Sequence, residues 1–202
     1  MTHDAIITKI GKIAKIKAGF PFRGSIDALN SGNATIIQLR NIDPITGIDW
    51  DSTAAITLPS KRGPNYLESG DVLFVARGNK YYAFALRNIP EQTVCSPHFF
   101  ILKPNASCEA EFLAWHINQS PAQNHLRRRA TGSHILNIRR EALEDLTIAI
   151  PPKEKQRIIV RHYEAALREK LALKELIKNR EQEIEALAQS LERSATEITK
   201  DD

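Results

Sequence analysis

Basic and amide side chains occur together at one turn of this sequence. The segment Arg77-Gly78-Asn79-Lys80-Tyr81-Tyr82 separates two apolar runs, and Gly78-Asn79 predicts a hairpin turn there. Arginine can bind guanine and asparagine can bind adenine through paired hydrogen bonds, while lysine can contact phosphate. Arg77, Asn79, Lys80 and Tyr81 are therefore candidate DNA contacts. The alternative is a solvated turn with one tyrosine buried under it.

Other basic residues occur where predicted elements end. Arg127, Arg128 and Arg129 end a predicted helix, where cations also complement the helix dipole. Three arginines exceed that need, which makes them candidate phosphate contacts. The remaining candidate DNA-binding residues lie in or beside turns and strand ends, and they are Arg23, Arg40, Asn41, Ser133 and His134.

Residue patterns for catalysis were not found. The sequence contains no Asp-x-Lys or Glu-x-Lys pair for a metal-dependent nuclease, no phosphate-binding P-loop and no methyltransferase Asn/Asp-Pro-Pro-aromatic loop. The histidines are scattered, and Cys95 and Cys108 are expected to be reduced thiols. The sequence therefore predicts a non-enzymatic protein with no catalytic residue, cofactor or metal site.

Residues 1–150 are predicted to form a mixed α+β domain with about three short helices. Residues 34–43, 71–86 and 93–105 are rich in β-branched, aliphatic and aromatic residues, as strands are. Helices are predicted at 109–118 and from Ser120, the expected N-cap, to about Arg129. Lysines at 9, 12, 15 and 17 alternate with isoleucines and are expected on a solvated helix face.

Residues 151–202 are predicted to be one long helix. Pro151-Pro152 marks its start, and residues 153–198 contain no glycine or proline. Apolar residues recur there at 3–4 spacing, as in a coiled coil, and the predicted dimerisation residues on that seam are Tyr163, Leu173, Ile177, Ile184, Leu187 and Leu191. A seam of this length needs a partner helix.

Charge and hydropathy narrow the possible partners. The net charge of +4 arises in residues 1–150, with 17 Lys and Arg against 13 Asp and Glu, whereas residues 151–202 are balanced at 11 against 11. A basic domain is compatible with a nucleic-acid partner. The sequence contains no apolar run long enough for a membrane span and no secretory signal pattern, so we expect a cytoplasmic protein without membrane contact.

The segment "ATGSHILNIRREALEDLTIAIPPKEKQRII" resembles the end of a target recognition domain in the specificity subunits of type I restriction–modification enzymes. The matching residues are Thr131-Gly132-Ser133, Asn137-Ile138, Leu143 to Leu146, and Ile150-Pro151-Pro152 through Gln156-Arg157-Ile158. "KIGKIAKIKAGFPF", "LRNID" and "LESGDVLFVARGN" are similar to earlier parts of the same domain. The resemblance covers nearly the whole chain.

The resemblance implies a non-catalytic subunit that reads double-stranded DNA for separate methyltransferase and restriction/translocase subunits. Family members usually have two recognition domains and two spacer helices, whereas this sequence has one of each, at 1–150 and 151–202. A homodimer through antiparallel C-terminal helices is therefore expected. Two alternatives stay open: a coiled-coil scaffold whose head binds protein, and a DNA-binding regulator without restriction–modification partners.

Overall fold

The computed structural model describes residues 5–22, 32–58, 63–78, 81–132 and 136–198. The chain divides into two compact units, Met1–Val160 and Arg161–Asp202. The predicted contacts Arg23, Asn79, Lys80, Ser133 and His134 lie outside the described residues.

The described part of the first unit combines short strands with short helices, which confirms the predicted α+β class. The strands are β1 (Ile6–Lys9), β2 (Ala14–Ala18), β3 (Ala34–Ile37), β4 (Ile42–Asp43), β5 (Gly47–Ile48), β6 (Ala54–Ile56), β7 (Val72–Val75), β8 (Ala83–Ala85), β9 (Thr93–Cys95), β10 (Phe99–Pro104) and β11 (Thr147–Ile150). The helices are α1 (Ile10–Ile13), α2 (Ala110–Asn118), α3 (Ser120–Arg129), α4 (Arg140–Glu144) and α5 (Lys153–Ile198).

A four-stranded sheet of order β2-β10-β7-β8 forms the centre of the first unit. Each pair in this sheet is antiparallel, and Leu73 pairs with Phe84 across the predicted β7–β8 hairpin. Both faces of β7 are buried, since Val72 and Phe74 belong to one apolar cluster and Leu73 and Val75 to another. Because successive side chains of a strand point to opposite faces, one apolar run serves two cores.

The remaining strands form smaller sheets. One of them has three strands in the order β6-β3-β9, and β3 and β9 are parallel. The other two are antiparallel pairs, β1 with β11 and β4 with β5. Helices α2, α3 and α4 contribute apolar residues to the cluster that contains Phe74, among them Phe112, Leu126 and Leu143, each at most 2% exposed. The second core, on the other side of the sheet, contains Phe99 and Ile101.

Four local predictions were wrong. Residues 34–43 form the two strands β3 and β4, because a 3-10 turn at Leu39–Asn41 separates them. Residues 93–105 form two strands, because a turn at 96–98, closed by a hydrogen bond from Phe99 N–H to the Ser96 carbonyl at 3.2 Å, separates β9 from β10. The lysines at 9, 12, 15 and 17 do not share one helix face, because only Lys12 lies in a helix, the short α1. Lys15 and Lys17 lie in strand β2, where a period of two places Ile16 inside and Lys15 outside. The N-cap of α3 is Gln119 instead of Ser120, and the Gln123 side chain donates to the Ile117 carbonyl at 2.8 Å.

The first unit includes the start of α5. Gln156 is fully buried and Val160 is 8% exposed. The amide of Gln156 accepts a hydrogen bond from the Glu109 N–H at 2.9 Å and donates to the carbonyls of Ser107 at 2.9 Å and Pro151 at 2.8 Å. Arg157 forms an ion pair with the Glu109 carboxylate at 2.9 Å. These contacts fix the beginning of α5 to the loop before α2.

The described part of the second unit is the rest of α5. Large apolar side chains are exposed along it, with exposed fractions of 54% for Leu173, 58% for Ile177, 67% for Ile184, 62% for Leu187 and 73% for Leu191. A helix of 46 residues is about 69 Å long at about 1.5 Å per residue. Within the described residues, no helix has the length and apolar character needed to cross a bilayer.

Candidate functional site

Three chain segments meet beyond the end of β7. Ala76 N–H donates to the His98 carbonyl at 2.9 Å, and Ile138 N–H donates to the Ala76 carbonyl at 2.8 Å. Gly78 N–H donates to the Leu136 carbonyl at 3.0 Å. The peptide groups on both sides of Arg77 are therefore bonded to other segments, and the position of its Cα is fixed.

The segment after α3 returns on itself next to Arg77. Thr131 N–H donates to the Asn137 carbonyl at 3.0 Å, and Asn137 N–H donates to the Thr131 carbonyl at 2.8 Å. Arg77 also forms a β-bridge with Asn137. Gly132 has φ of +126° and Gly78 has φ of +119°, which side-chain-bearing residues rarely adopt. The positive φ explains the glycine of the Thr-Gly-Ser segment, and full burial of Ile138 beside the bridge explains the isoleucine that follows Asn137.

These segments enclose a cleft of about 560 Å³. It is lined by Arg77, Pro97, His98, Thr131, Gly132, Asn137 and Arg139. Two of these residues are arginines, and none of the described residues that line the cleft is acidic. Thr131 and Asn137 add hydroxyl and amide groups. An anionic ligand with hydrogen-bonding groups suits this lining.

Arg77 contacts the imidazole of His98. Its Nη1 donates to His98 Nε2 at 3.3 Å, and His98 Nδ1 lies 3.4 Å from the hydroxyl of Ser96, which is 2% exposed. Burial, followed by the positive charge of Arg77, holds the pKa of His98 below its ordinary value. The imidazole beside the cleft is therefore neutral at physiological pH.

The predicted DNA contacts that the structure describes lie in different surroundings. Arg77 lines the cleft, and Arg40, Arg127 and Arg128 are exposed. Arg129 is exposed too, but it forms an ion pair with Asp145 at 2.9 Å, and Asp145 also pairs with Lys9 at 2.7 Å. Both cations hold the pKa of the Asp145 carboxyl below its ordinary value.

The prediction that Asn41 and Tyr81 contact DNA was wrong, because both side chains are buried. Asn41 is 1% exposed, and its side chain accepts from Gln38 N–H at 2.8 Å and donates to the Ser52 carbonyl at 2.7 Å. Tyr81 is 3% exposed and packs in the core, and within the described residues its hydroxyl has no hydrogen-bond partner. Neither side chain is accessible to DNA in this structure.

Sequence reasoning missed His98 and Arg139 as cleft residues. Arg139 directly follows the Asn137-Ile138 pair, so its proximity to Thr131 could have been inferred from that motif. His98 follows Pro97 in a turn that the sequence presented as the middle of a strand. Cys95 and Cys108 are free and buried, and burial raises the pKa of the Cys108 thiol to about 12. Within the described part of the chain, no group of three or more His, Cys, Asp or Glu residues could hold a metal ion.

The fold and the Thr-Gly-Ser segment define a known class. The chain belongs to the family described as the type I restriction modification DNA specificity domain, whose model matches residues 6–186.

Solved structures share this fold. One, described as the structural basis of complex assembly and conformational transition of the type I R-M system, has a TM-score of 0.64 and 18% identity over 93% of this chain. The HsdS subunit from Thermoanaerobacter tengcongensis has a TM-score of 0.58 and 18% identity over 85%. The type I restriction–modification S subunit from M. genitalium has a TM-score of 0.53 and 14% identity over 82%.

The chain accounts for 44%, 39% and 40% of the lengths of those three chains. No curated protein sequence matches it.

Proposed function

We propose that this chain is a non-catalytic DNA sequence-recognition subunit of a type I restriction–modification system. In this role it acts in the cytoplasm and directs methyltransferase and restriction/translocase subunits to a bipartite DNA site. The family match supports DNA specificity as the role. The proposal assigns recognition to residues 1–150 and spacing and dimerisation to residues 151–202.

The observation that carries the proposal is the cleft beside Arg77. Arg77 and Arg139 provide two permanent positive charges, and Thr131 and Asn137 provide neutral hydrogen-bonding groups. Arginine with neutral polar residues is the set that contacts phosphates and reads base edges. Within the proposal, Arg77 reads a base, whereas Arg139 contacts phosphate together with Arg40, Arg127 and Arg128.

Dimerisation is supported by the exposed apolar seam of α5. Leu173, Ile177, Ile184, Leu187 and Leu191 are each more than half exposed. Exposed apolar residues at 3–4 spacing are typical of a coiled-coil seam without its partner. A second copy in antiparallel orientation supplies an identical seam and relates two recognition domains by a twofold axis.

Salt-dependent binding to duplex DNA tests the proposed function. We expect the affinity of the purified chain for a random duplex to fall steeply between about 50 and 200 mM salt, because bound phosphates release counterions. Arg139→Ala should weaken binding and reduce the slope of log K against log salt by about 0.9. A salt-independent interaction, or no binding to duplex DNA, would favour the scaffold alternative.

Arg87→Ala is the matched control for Arg139→Ala. Arg87 is exposed and forms an ion pair with Glu111 at 2.7 Å. It follows β8 at the end of the β7–β8 hairpin opposite Arg77, since Val72 pairs with Ala85. Loss of the same charge there should change the salt slope less than loss of Arg139.

Co-purification distinguishes the proposed subunit from an independent regulator. A tagged chain expressed in its native cells should retain a DNA methyltransferase, and that complex should methylate DNA in the presence of S-adenosylmethionine. The purified chain alone should neither methylate nor cleave DNA. Methyl transfer by the chain alone would overturn the non-catalytic role.

A further inference from the structure

The backbone of Arg77 is fixed by hydrogen bonds, and its side chain contacts His98. Its flanking peptide groups are bonded to His98 and to the 136–138 segment, as described above. The guanidinium itself donates to His98 Nε2 at 3.3 Å. Since long side chains lose rotamer freedom when they bind, a contact that restricts the guanidinium beforehand lowers the cost of recognition.

The chemistry of the two groups determines the protonation state of His98. A guanidinium has donors only, so the Nε2 atom that it contacts must present a lone pair. The proton of the neutral imidazole therefore resides on Nδ1, which donates to the Ser96 hydroxyl at 3.4 Å. A protonated imidazole has donors at both nitrogens, and it cannot accept the hydrogen bond from Arg77.

We propose that His98 is a positioning residue of the cleft, whose neutral imidazole holds the Arg77 guanidinium in the orientation that reads a base. Protonation of His98 breaks this contact and places a second cation beside Arg77. Sequence discrimination by the cleft is then lost in acid, while attraction to the DNA polyanion is retained. The inference rests on the proposed function of the cleft.

The charged groups around His98 determine the pH at which its imidazole becomes protonated. The segments that line the cleft with His98 contribute Arg77 and Arg139, and Arg77 opposes a positive charge on the imidazole. Burial acts in the same direction and lowers the pKa of His98 in the free protein. Because discrimination requires the neutral imidazole, binding of the selected duplex lowers the pKa of His98 relative to binding of the scrambled duplex.

Two substitutions separate positioning from folding. His98→Gln keeps an acceptor that can face Arg77 and does not titrate. His98→Leu fills similar space without any acceptor. If the role of His98 is to accept from Arg77, the glutamine variant restores discrimination and the leucine variant does not.

The test compares the affinity for a duplex that the purified chain selects from a random pool with the affinity for a scrambled version of that duplex. The ratio of the two affinities measures sequence discrimination. For the wild type we expect this ratio to fall about tenfold from about pH 8 to about pH 5, the size of one lost base contact. Affinity for the scrambled duplex should stay constant or rise. The ratio should be independent of pH for His98→Gln and low at every pH for His98→Leu. A pH-independent wild-type ratio, or an unchanged pH profile in His98→Gln, would overturn the inference.

Nitrogen NMR of the free protein separates this inference from the proposed function. A neutral His98 with its proton on Nδ1, and an Arg77 resonance that shifts as His98 titrates, would support the positioning contact without DNA. The Nε2–H tautomer would overturn it. If this contact is present but no duplex is discriminated at any pH, the proposed function fails and the contact stands.

Discussion

The Gln156 side chain accepts a hydrogen bond from the backbone N–H of Glu109 at 2.9 Å, across 47 residues of sequence. Gln156 is fully buried, and its amide donates two further hydrogen bonds to backbone carbonyls. A buried amide that satisfies three backbone groups connects the first turns of α5 to the loop before α2. The glutamine of the Pro-Pro-Lys-Glu-Lys-Gln segment is thereby explained as a structural residue.

Replacement of Gln156 by alanine should lower the free energy of unfolding by about 2–4 kcal/mol. The substitution removes the partner of one N–H and two carbonyls at a buried or partly buried site, and each such group costs about 1–3 kcal/mol before relaxation and water entry. Urea denaturation of the variant and the wild type measures the change. Gln189→Ala is the control, because Gln189 is exposed and its side chain bonds to the equally exposed Glu185 at 3.1 Å. Equal effects at the two positions would contradict the assigned role.

Asn41→Ala should destabilise the protein by about 2 kcal/mol and leave DNA discrimination unchanged. The side chain of Asn41 caps the turn Leu39–Asn41 and bonds to Ser52, so its removal leaves partly buried groups unpaired. Arg40→Ala, at the exposed neighbouring position, should change stability by less than about 0.5 kcal/mol. Denaturation and duplex binding are measured on both variants. Lost discrimination with unchanged stability in Asn41→Ala would restore Asn41 as a base contact.

Tyr81→Phe should leave stability unchanged or raise it by about 1 kcal/mol. The buried hydroxyl has no partner among the described residues, and burial of an unpaired hydroxyl is unfavourable. Burial likewise raises the pKa of Tyr81. Thermal unfolding at neutral pH compares the two proteins. A clear loss of stability would show that the hydroxyl has a partner in solution.

Two substitutions on the apolar seam of α5 should separate the proposed dimer. Ile184→Asp with Leu187→Asp introduces two charges on the face that contacts the partner helix in the proposed dimer. Light scattering of this variant at tens of micromolar should give the mass of a monomer. Gln182→Asp with Gln189→Asp adds the same charge on the opposite face of the helix and should remain dimeric. A monomeric wild type would contradict the dimer directly.

Local patterns in the sequence predicted much of the fold. The hairpin β7–β8 follows from two apolar runs around Gly78-Asn79, and α5 follows from a long glycine- and proline-free segment after Pro151-Pro152. Both predictions depend on residues that are neighbours in sequence, because turn chemistry determines the hairpin and helix periodicity determines α5. The Ile/Lys alternation at 9–17 was misinterpreted as one helix face, because the elements β1, α1 and β2 that share it are each too short for a period to be distinctive.

The candidate site was only partly predictable, because its parts are distant in sequence. Arg77 was identified, but its bonding to 136–138 and to His98 depends on isolated long-range hydrogen bonds without a pattern of their own. Asn41 shows the converse limit. An asparagine at the end of a strand has the same sequence signature whether it caps a buried turn or faces solvent.

Sequencing the duplexes that the purified chain selects from a random pool tests the central claim most directly. Two identical recognition domains related by a twofold axis must read one half-site in opposite orientations. At about 3.4 Å per base pair, a helix of about 69 Å covers about 20 base pairs. We expect an interrupted inverted repeat of short half-sites within that length, which Arg77→Ala no longer enriches. An asymmetric sequence would contradict the homodimer, and a pool without any enriched sequence would contradict DNA recognition itself.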